Sequence, residues 1–289
     1  MVLHRFVLHN DRIGEASEPV LAPGQVGLLS GWGVFSTLRV ADGVLFAFER
    51  HWARISRDAA TMHVPLPYDP EAIHRRLLEL VEANRAFNST LRLVIVRNGG
   101  GMWAGPSNGR ASDVIALTAD SKHWGEDVKL GYVKHGRHGA CEFSTTKILS
   151  WAMNLTWVES AQQRGLDEVI LLNERGEVAE CTSANIFAST GGQVWTPPVS
   201  AGCLPGITRE VLLGEIHVPG IRIAEKNLTP ADLEDADEVF ITSTTRNLLP
   251  VRAIEGRKIG RTDQIRRALA DAFGEFVDRY VAAHKTAVV

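Results

Sequence analysis

Apolar and polar positions alternate over Arg5 to Leu8, which predicts a short strand, and again over Val34 to Val40 and Leu45 to Phe48, a hairpin turning at Asp42-Gly43. The period then changes to that of a helix. Glu49 to Met62 and Glu71 to Asn84 both carry it, the second with Ile73, Leu77, Leu80 and Val81 on one face. Leu91 to Val96 is almost continuously apolar, as a buried strand would be, and Asn98-Gly99-Gly100-Gly101 ends it. Val114 to Thr118 is a further strand. Beyond Ala119 the chain turns polar and loses its period, which predicts a linker over 121–134 between an N-terminal α/β domain, 1–120, and a C-terminal domain, 135–289.

The second half opens with a predicted helix from Ile148 to Arg164, stopped by Gly165. Four strand-like runs follow: Glu168 to Leu172, Glu177 to Glu180, Asn185 to Ala188 and Gln193 to Thr196. Tight turns at Glu174-Arg175-Gly176 and Gly191-Gly192 predict that they form an antiparallel meander. A short helix over Thr208 to Ile216 and a strand over Glu238 to Thr242 come next. A terminal helix over Thr262 to Ala283 places Ile265, Leu269, Phe273, Val277 and Val281 at i+4 spacing. The fold class expected is α/β, of the α+β type, in two domains.

Composition removes several classes of function. In 289 residues, 45% are apolar and 22% charged, the balance of a folded globular chain. A formal charge of −3 leaves no bulk basic field for nucleic acid or an anionic membrane. No run approaches the roughly 20 apolar residues that cross a bilayer, and Met1 to His9 lacks the apolar block of a signal peptide. Cys141, Cys181 and Cys203 are too few and too scattered for a disulfide framework or a closed zinc site. A cytoplasmic protein without a metal is expected.

Candidate chemistry is sparse. The phosphate loop, the dinucleotide fingerprint and the nucleophile elbow are all missing. Ten histidines are scattered without metal-ligand pairing and read as structural or exposed. Only seven of the 31 basic residues are lysine, and Lys147 differs from the other six. No other charge lies between Phe143 and Asn154. Such surroundings disfavour the ammonium and release the amine for Schiff-base chemistry. Taken alone, the same lysine also fits a helix start with its amine in solvent.

Three stretches bear on that choice: Gly165 to Asn173, Glu177 to Phe187 with Glu180-Cys181-Thr182-Ser183-Ala184-Asn185 inside it, and Leu204-Pro205-Gly206-Ile207-Thr208-Arg209. Together with Phe48-Glu49-Arg50-His51-Trp52-Ala53-Arg54-Ile55 they resemble the class IV aminotransferases, the pyridoxal-phosphate enzymes of fold type IV. That family includes branched-chain and D-amino-acid aminotransferases and 4-amino-4-deoxychorismate lyase. The resemblance extends from about Gly31 to Val251 and implies a larger C-terminal domain built on a barrel-like sheet, with the cofactor, pyridoxal 5′-phosphate, seated between the domains. It implies that Lys147 joins the cofactor as an internal aldimine and that Glu180 contacts the pyridine nitrogen and keeps it protonated. Arg54 would grip the phosphate. Ile207 and Thr208 would add backbone N–H groups at a helix start, Ser243 and Thr244 would complete the cup, and Leu204 would lie against the ring.

The resemblance further implies a homodimer in which the N-terminal domain of one subunit closes the site of the other. Trp32, Trp103 and Arg97 are candidates for that shared wall, and Trp32, Phe35, Arg97 and Thr245 for the substrate pocket. The reaction is less sharply marked. Phe35-Ser36-Thr37 stands where branched-chain enzymes carry Phe-Glu, and is lyase-like, as is Glu180-Cys181-Thr182-Ser183-Ala184-Asn185. Ile148-Leu149-Ser150-Trp151 follows neither pattern, and its apolar character suits a small aliphatic side chain. The expected reaction is amino transfer between a small or branched-chain amino acid and a 2-oxo acid, with the lyase as the alternative.

Overall fold

The computed structural model describes residues 2–18, 21, 24–101 and 109–285. In chain order the first elements are β1 (Leu3–His9), β2 (Arg12–Glu15), α1 (Val26–Ser30), β3 (Gly33–Ala41), β4 (Val44–Leu45), α2 (Phe48–Thr61), α3 (Pro70–Ala83), β5 (Ser89–Arg97) and β6 (Ser112–Asp120). They belong to a unit comprising Met1–Lys122, Thr146–Trp151 and Asp278–Val289. Its strands form one sheet in the order β2-β1-β6-β5-β3-β4, antiparallel throughout.

Strand alternation sends Val34, Leu38 and Val40 of β3, Leu91, Leu93 and Ile95 of β5, and Val114 and Ala116 of β6 to one face. The apolar stripes of α2 (Trp52, Ile55, Ala59) and α3 (Ile73, Leu77, Leu80, Val81) cover them. Each fully buried aliphatic side chain of this kind contributes about 1.5–3 kcal/mol. Asp42 (φ 48°) and Gly43 (φ 81°) both take the left-handed conformation that a two-residue hairpin turn requires. The second arm is shorter than predicted. Ala47 turns left-handed at φ 53°, and Phe48 already begins α2.

The second unit comprises His123–Thr145 and Ala152–Val277. Its elements are β7 (Val128–Val133), α4 (Ala152–Gln163), β8 (Glu168–Leu172), β9 (Val178–Cys181), β10 (Asn185–Thr190), β11 (Gln193–Thr196), α5 (Ile207–Gly214), β12 (Arg222–Glu225), α6 (Pro230–Glu234), β13 (Glu238–Ser243), β14 (Asn247–Ile254), β15 (Arg257–Lys258) and α7 (Gln264–His284), whose residues from Asp278 onward belong to the first unit. The sheet runs β12-β11-β10-β13-β14-β7-β8-β9, with β15 added to β14. From β10 to β9 it curls into a half-barrel around Ile170, Cys181, Ile186, Ile241 and Val251. The α+β class and the barrel-like second domain are therefore present.

Several details differ from expectation. The predicted linker contains β7, which pairs parallel with both β8 and β14 in the middle of the second sheet. The four-stranded meander is broken: β8-β9 and β10-β11 pair, but β13, β14 and β7 intervene between the two hairpins. The helix predicted from Ile148 starts at Ala152. Ile148 instead bridges Val34, and Leu149 donates its N–H to the Gly33 carbonyl at 3.0 Å. A Cβ at Gly33 would lie 2.5 Å from a Leu149 methyl, so the apolar segment has a seat on β3 that only glycine leaves open.

Candidate functional site

In the first unit, Lys147 lies on this added segment. Its N–H donates to Asp58 Oδ2 at 3.0 Å and its carbonyl accepts from the Phe35 N–H at 3.1 Å. The backbone is thus held on both sides of the lysine. Lys147 Nζ stands 4.5 Å from the centre of the Phe35 ring, Arg92 lies over the same ring at 4.1 Å, and Trp151 meets it edge-on at 6.2 Å. A ring flanked by two cations is held by its negative faces.

Arg54 is buried on α2 and donates through Nη2 to Ser36 Oγ at 2.8 Å. Ser36 Oγ also lies 2.7 Å from His51 Nδ1. Burial, with the charges of Arg54 and Lys147 added, holds the His51 imidazole well below the usual histidine range. His51, Arg54 and Asp58 fall three and four residues apart, so one face of α2 presents all three. Asp58 is buried and also accepts from the Arg57 guanidinium.

Trp32 and Arg97 form a separate cluster. The Arg97 guanidinium lies 4.2 Å from the Trp32 ring and donates to the Gly99 carbonyl at 2.7 Å, while Trp32 Nε1 donates to the Met62 carbonyl at 2.7 Å. Trp103 lies outside the described residues.

In the second unit, Glu180 is buried on β9. One carboxylate oxygen takes a hydrogen bond from Arg137, and the other accepts the Leu204 N–H at 3.0 Å. A carboxylate has about four acceptor positions, so these two bonds leave capacity for a further donor. Leu204 belongs to the loop that leads into α5. That helix begins at Ile207 and Thr208 with no side chain capping its first N–H groups. The approach is fixed by Asn185, which donates to the Leu204 carbonyl at 2.8 Å. A Cβ at Gly206 would lie 2.1 Å from Asn185 Oδ1, so any larger residue there would displace the Asn185 side chain.

Ser243, Thr244 and Thr245 form the half-buried turn from β13 to β14, with the Ser243 and Thr245 hydroxyls 3.5 Å apart. Arg246 follows. Its guanidinium donates to Glu168 Oε2 at 2.7 Å and to Ser183 Oγ at 3.0 Å, and lies 3.7 Å from the Trp124 ring. Glu168 also accepts from the hydroxyls of Thr182 and Ser183. This buried pair ties the turn bearing Thr244 to the loop after β9. Burial pushes the Glu168 carboxyl up and the Arg246 guanidinium down, each partly offset by the other.

The family profile described as amino-transferase class IV matches residues 33–254. The chain belongs to that family. It is 30% identical over 272 residues to the D-alanine aminotransferase of Bacillus licheniformis, covering 88% of this chain and 90% of the relative. The branched-chain-amino-acid aminotransferase of Pseudomonas aeruginosa is 29% identical over 268 residues, covering 88% and 87%. A crystal structure of the branched-chain aminotransferase of Thermoproteus uzoniensis superposes with a TM-score of 0.87 at 26% identity, covering 96% of this chain and 98% of the other. This class IV aminotransferase carries Phe35 beside Lys147 and Leu204 on Glu180, neighbours that the sequence reading had not paired.

Sequence reasoning missed Ser36, His51, Asp58, Arg137, Glu168 and Arg246. For three of them a signal existed: Ser36 interrupts the core face of β3, and His51 and Asp58 interrupt the apolar face of α2. Among the described residues, no cluster of three or more metal-binding side chains occurs, and no helix is long and apolar enough to cross a membrane.

Proposed function

We propose that this class IV aminotransferase uses pyridoxal 5′-phosphate to move an amino group between a small aliphatic or branched-chain amino acid and a 2-oxo acid, working in the cytoplasm as a homodimer. Lys147 carries the reading, because it is a lysine whose backbone is bonded on both sides and whose amine is kept against an aromatic ring. The donor set suits the cofactor: a buried carboxylate with acceptor capacity, a buried guanidinium, and a helix start with uncapped N–H groups.

When bound, pyridoxal phosphate supplies an aldehyde that condenses with amines and a ring that accepts electrons. Lys147 would be the covalent anchor and, once released, the base that moves a proton at its Nζ. Glu180, already bonded by Arg137, would take the ring nitrogen. Leu204 would pack on the ring. Arg54, the N–H groups of Ile207 and Thr208, and the turn bearing Ser243 and Thr244 would hold the phosphate. Trp32, Phe35, Arg97 and Thr245 shape the substrate pocket.

The lyase alternative rests on Phe35-Ser36-Thr37 and on Glu180-Cys181-Thr182-Ser183-Ala184-Asn185. The Ser36 hydroxyl is engaged by Arg54 and His51 and buried on the core side of β3, so it is no substrate donor. Holoenzyme mixed with leucine, isoleucine, valine or alanine of either hand, without acceptor, should lose its band near about 410–430 nm and gain one near about 330 nm. No shift with any of them, with pyruvate released from aminodeoxychorismate, would establish the lyase instead.

A further inference from the structure

We propose that Ser36 and His51 are positioning residues that aim Arg54 at the cofactor phosphate. The proposal rests on the reading of Arg54 as a phosphate ligand and explains how that side chain is held ready.

Ser36 is fully buried on the face of β3 that Val34 and Leu38 place in the core. A hydroxyl in such a place needs partners, and it has two, Arg54 Nη2 at 2.8 Å and His51 Nδ1 at 2.7 Å. A guanidinium only donates, so Ser36 Oγ is the acceptor toward Arg54. The one hydroxyl proton is then directed at His51 Nδ1, which must be a bare acceptor. His51 is therefore neutral, with its proton on Nε2. Its burial beside two cations acts in the same direction.

Each member fixes the next. His51 orients the hydroxyl, the hydroxyl turns its lone pairs to Arg54, and one corner of the guanidinium is pinned. Arginine has five N–H donors in a rigid fork, so pinning one corner sets the direction of the rest. A side chain ordered before the ligand arrives does not lose that freedom on binding, and affinity rises accordingly. His51 and Arg54 lie one turn apart on α2, and Ser36 is the residue of β3 between their tips.

The test compares two probes on the apoprotein, pyridoxal 5′-phosphate and pyridoxal, by equilibrium dialysis. They differ only in the phosphate. Ser36→Ala should weaken pyridoxal phosphate about tenfold, the scale of one bond to a charged group, and leave pyridoxal unchanged. Ser36→Thr, which keeps the hydroxyl, should restore most of the loss, and His51→Leu should mimic Ser36→Ala. A parallel loss of both probes in Ser36→Ala marks general damage to the fold and overturns the proposal, as does no loss of either. Arg54→Ala separates the two levels. If it lowers the preference for the phosphorylated probe and Ser36→Ala does not, only the positioning role fails. If Arg54→Ala leaves the preference intact, the phosphate reading of Arg54 fails, and this inference with it.

Discussion

Replacing Arg246 by methionine removes the cation from a pair that has almost no access to water: the side chains of Arg246 and Glu168 are 5% and 1% exposed. The variant loses the bonds to Glu168 and Ser183 and the stacking on Trp124, and it leaves the Glu168 carboxylate with hydroxyl and backbone N–H donors but no cation. Breaking a buried pair on one side costs about 3–5 kcal/mol. At about 2–4 °C per kcal/mol in proteins of this size class, the melting temperature should fall by roughly 6–20 °C. The orphaned carboxyl should escape part of the penalty by binding a proton. Its folded pKa, already raised by burial, rises further, so the loss grows as pH increases above that of free glutamate. Thermal melts of the holoenzyme at pH 5.5 and 8 measure both effects. Glu168→Gln combined with Arg246→Met should recover part of the loss. An Arg246→Met protein within about 1 kcal/mol of wild type, or equally destabilised at both pH values, would refute the argument.

Three further outcomes follow from the same geometry. His51 titrates below its usual value of 6.5 when folded, so its contribution is complete above that value and is lost on acidification, by up to about 1.4 kcal/mol per pH unit. Urea unfolding between pH 7.5 and 5 should show His51→Gln with a flatter pH dependence than wild type, and an identical slope would contradict the assignment. Gly206→Ala should weaken cofactor binding and cost about 1–3 kcal/mol, because the new methyl displaces Asn185 although the backbone (φ −71°) tolerates it; unchanged dialysis and melting would count against the cradle. Glu180→Ala should retain cofactor but lose turnover, since the ring becomes a poorer electron sink, and full activity in that variant would remove Glu180 from the scheme.

What could be read beforehand depended on how local the cause was. Asp42-Gly43 announced its turn because the positive φ values are a demand of two adjacent residues. The stripes of α2 and α3 were legible because 3.6-residue spacing repeats within one element. β7 was not, although Val128, Leu130 and Tyr132 alternate with Lys129 and Gly131, because the pattern is short and follows directly on the polar run over 120–127; its pairing with β8 and β14 is set only by the closed sheet. β14 was hidden by Pro250 and Arg252; Pro250 lies just before the first residue paired with β7. For the site, Lys147, Arg54 and Glu180 carried a family resemblance, whereas Arg246 and Glu168 are 78 residues apart and meet only once the sheet has closed. The extended course of Ile148 and Leu149 was likewise invisible, because its cause is the edge of β3, more than a hundred residues earlier.

That borrowed strand has a bearing on how the gene can be cut. A fragment ending at Lys122 would encode every element from β1 to β6, yet it would lack Thr146–Trp151. Along Gly33 to Phe35 the Gly33 carbonyl and the Phe35 N–H would then be unpaired, and a bare sheet edge recruits strands from other molecules. Such a truncation should be sticky on expression. On the ribosome the same edge stays open until residues near 150 have emerged, so the lysine seat is among the later parts of the first unit to be completed during synthesis.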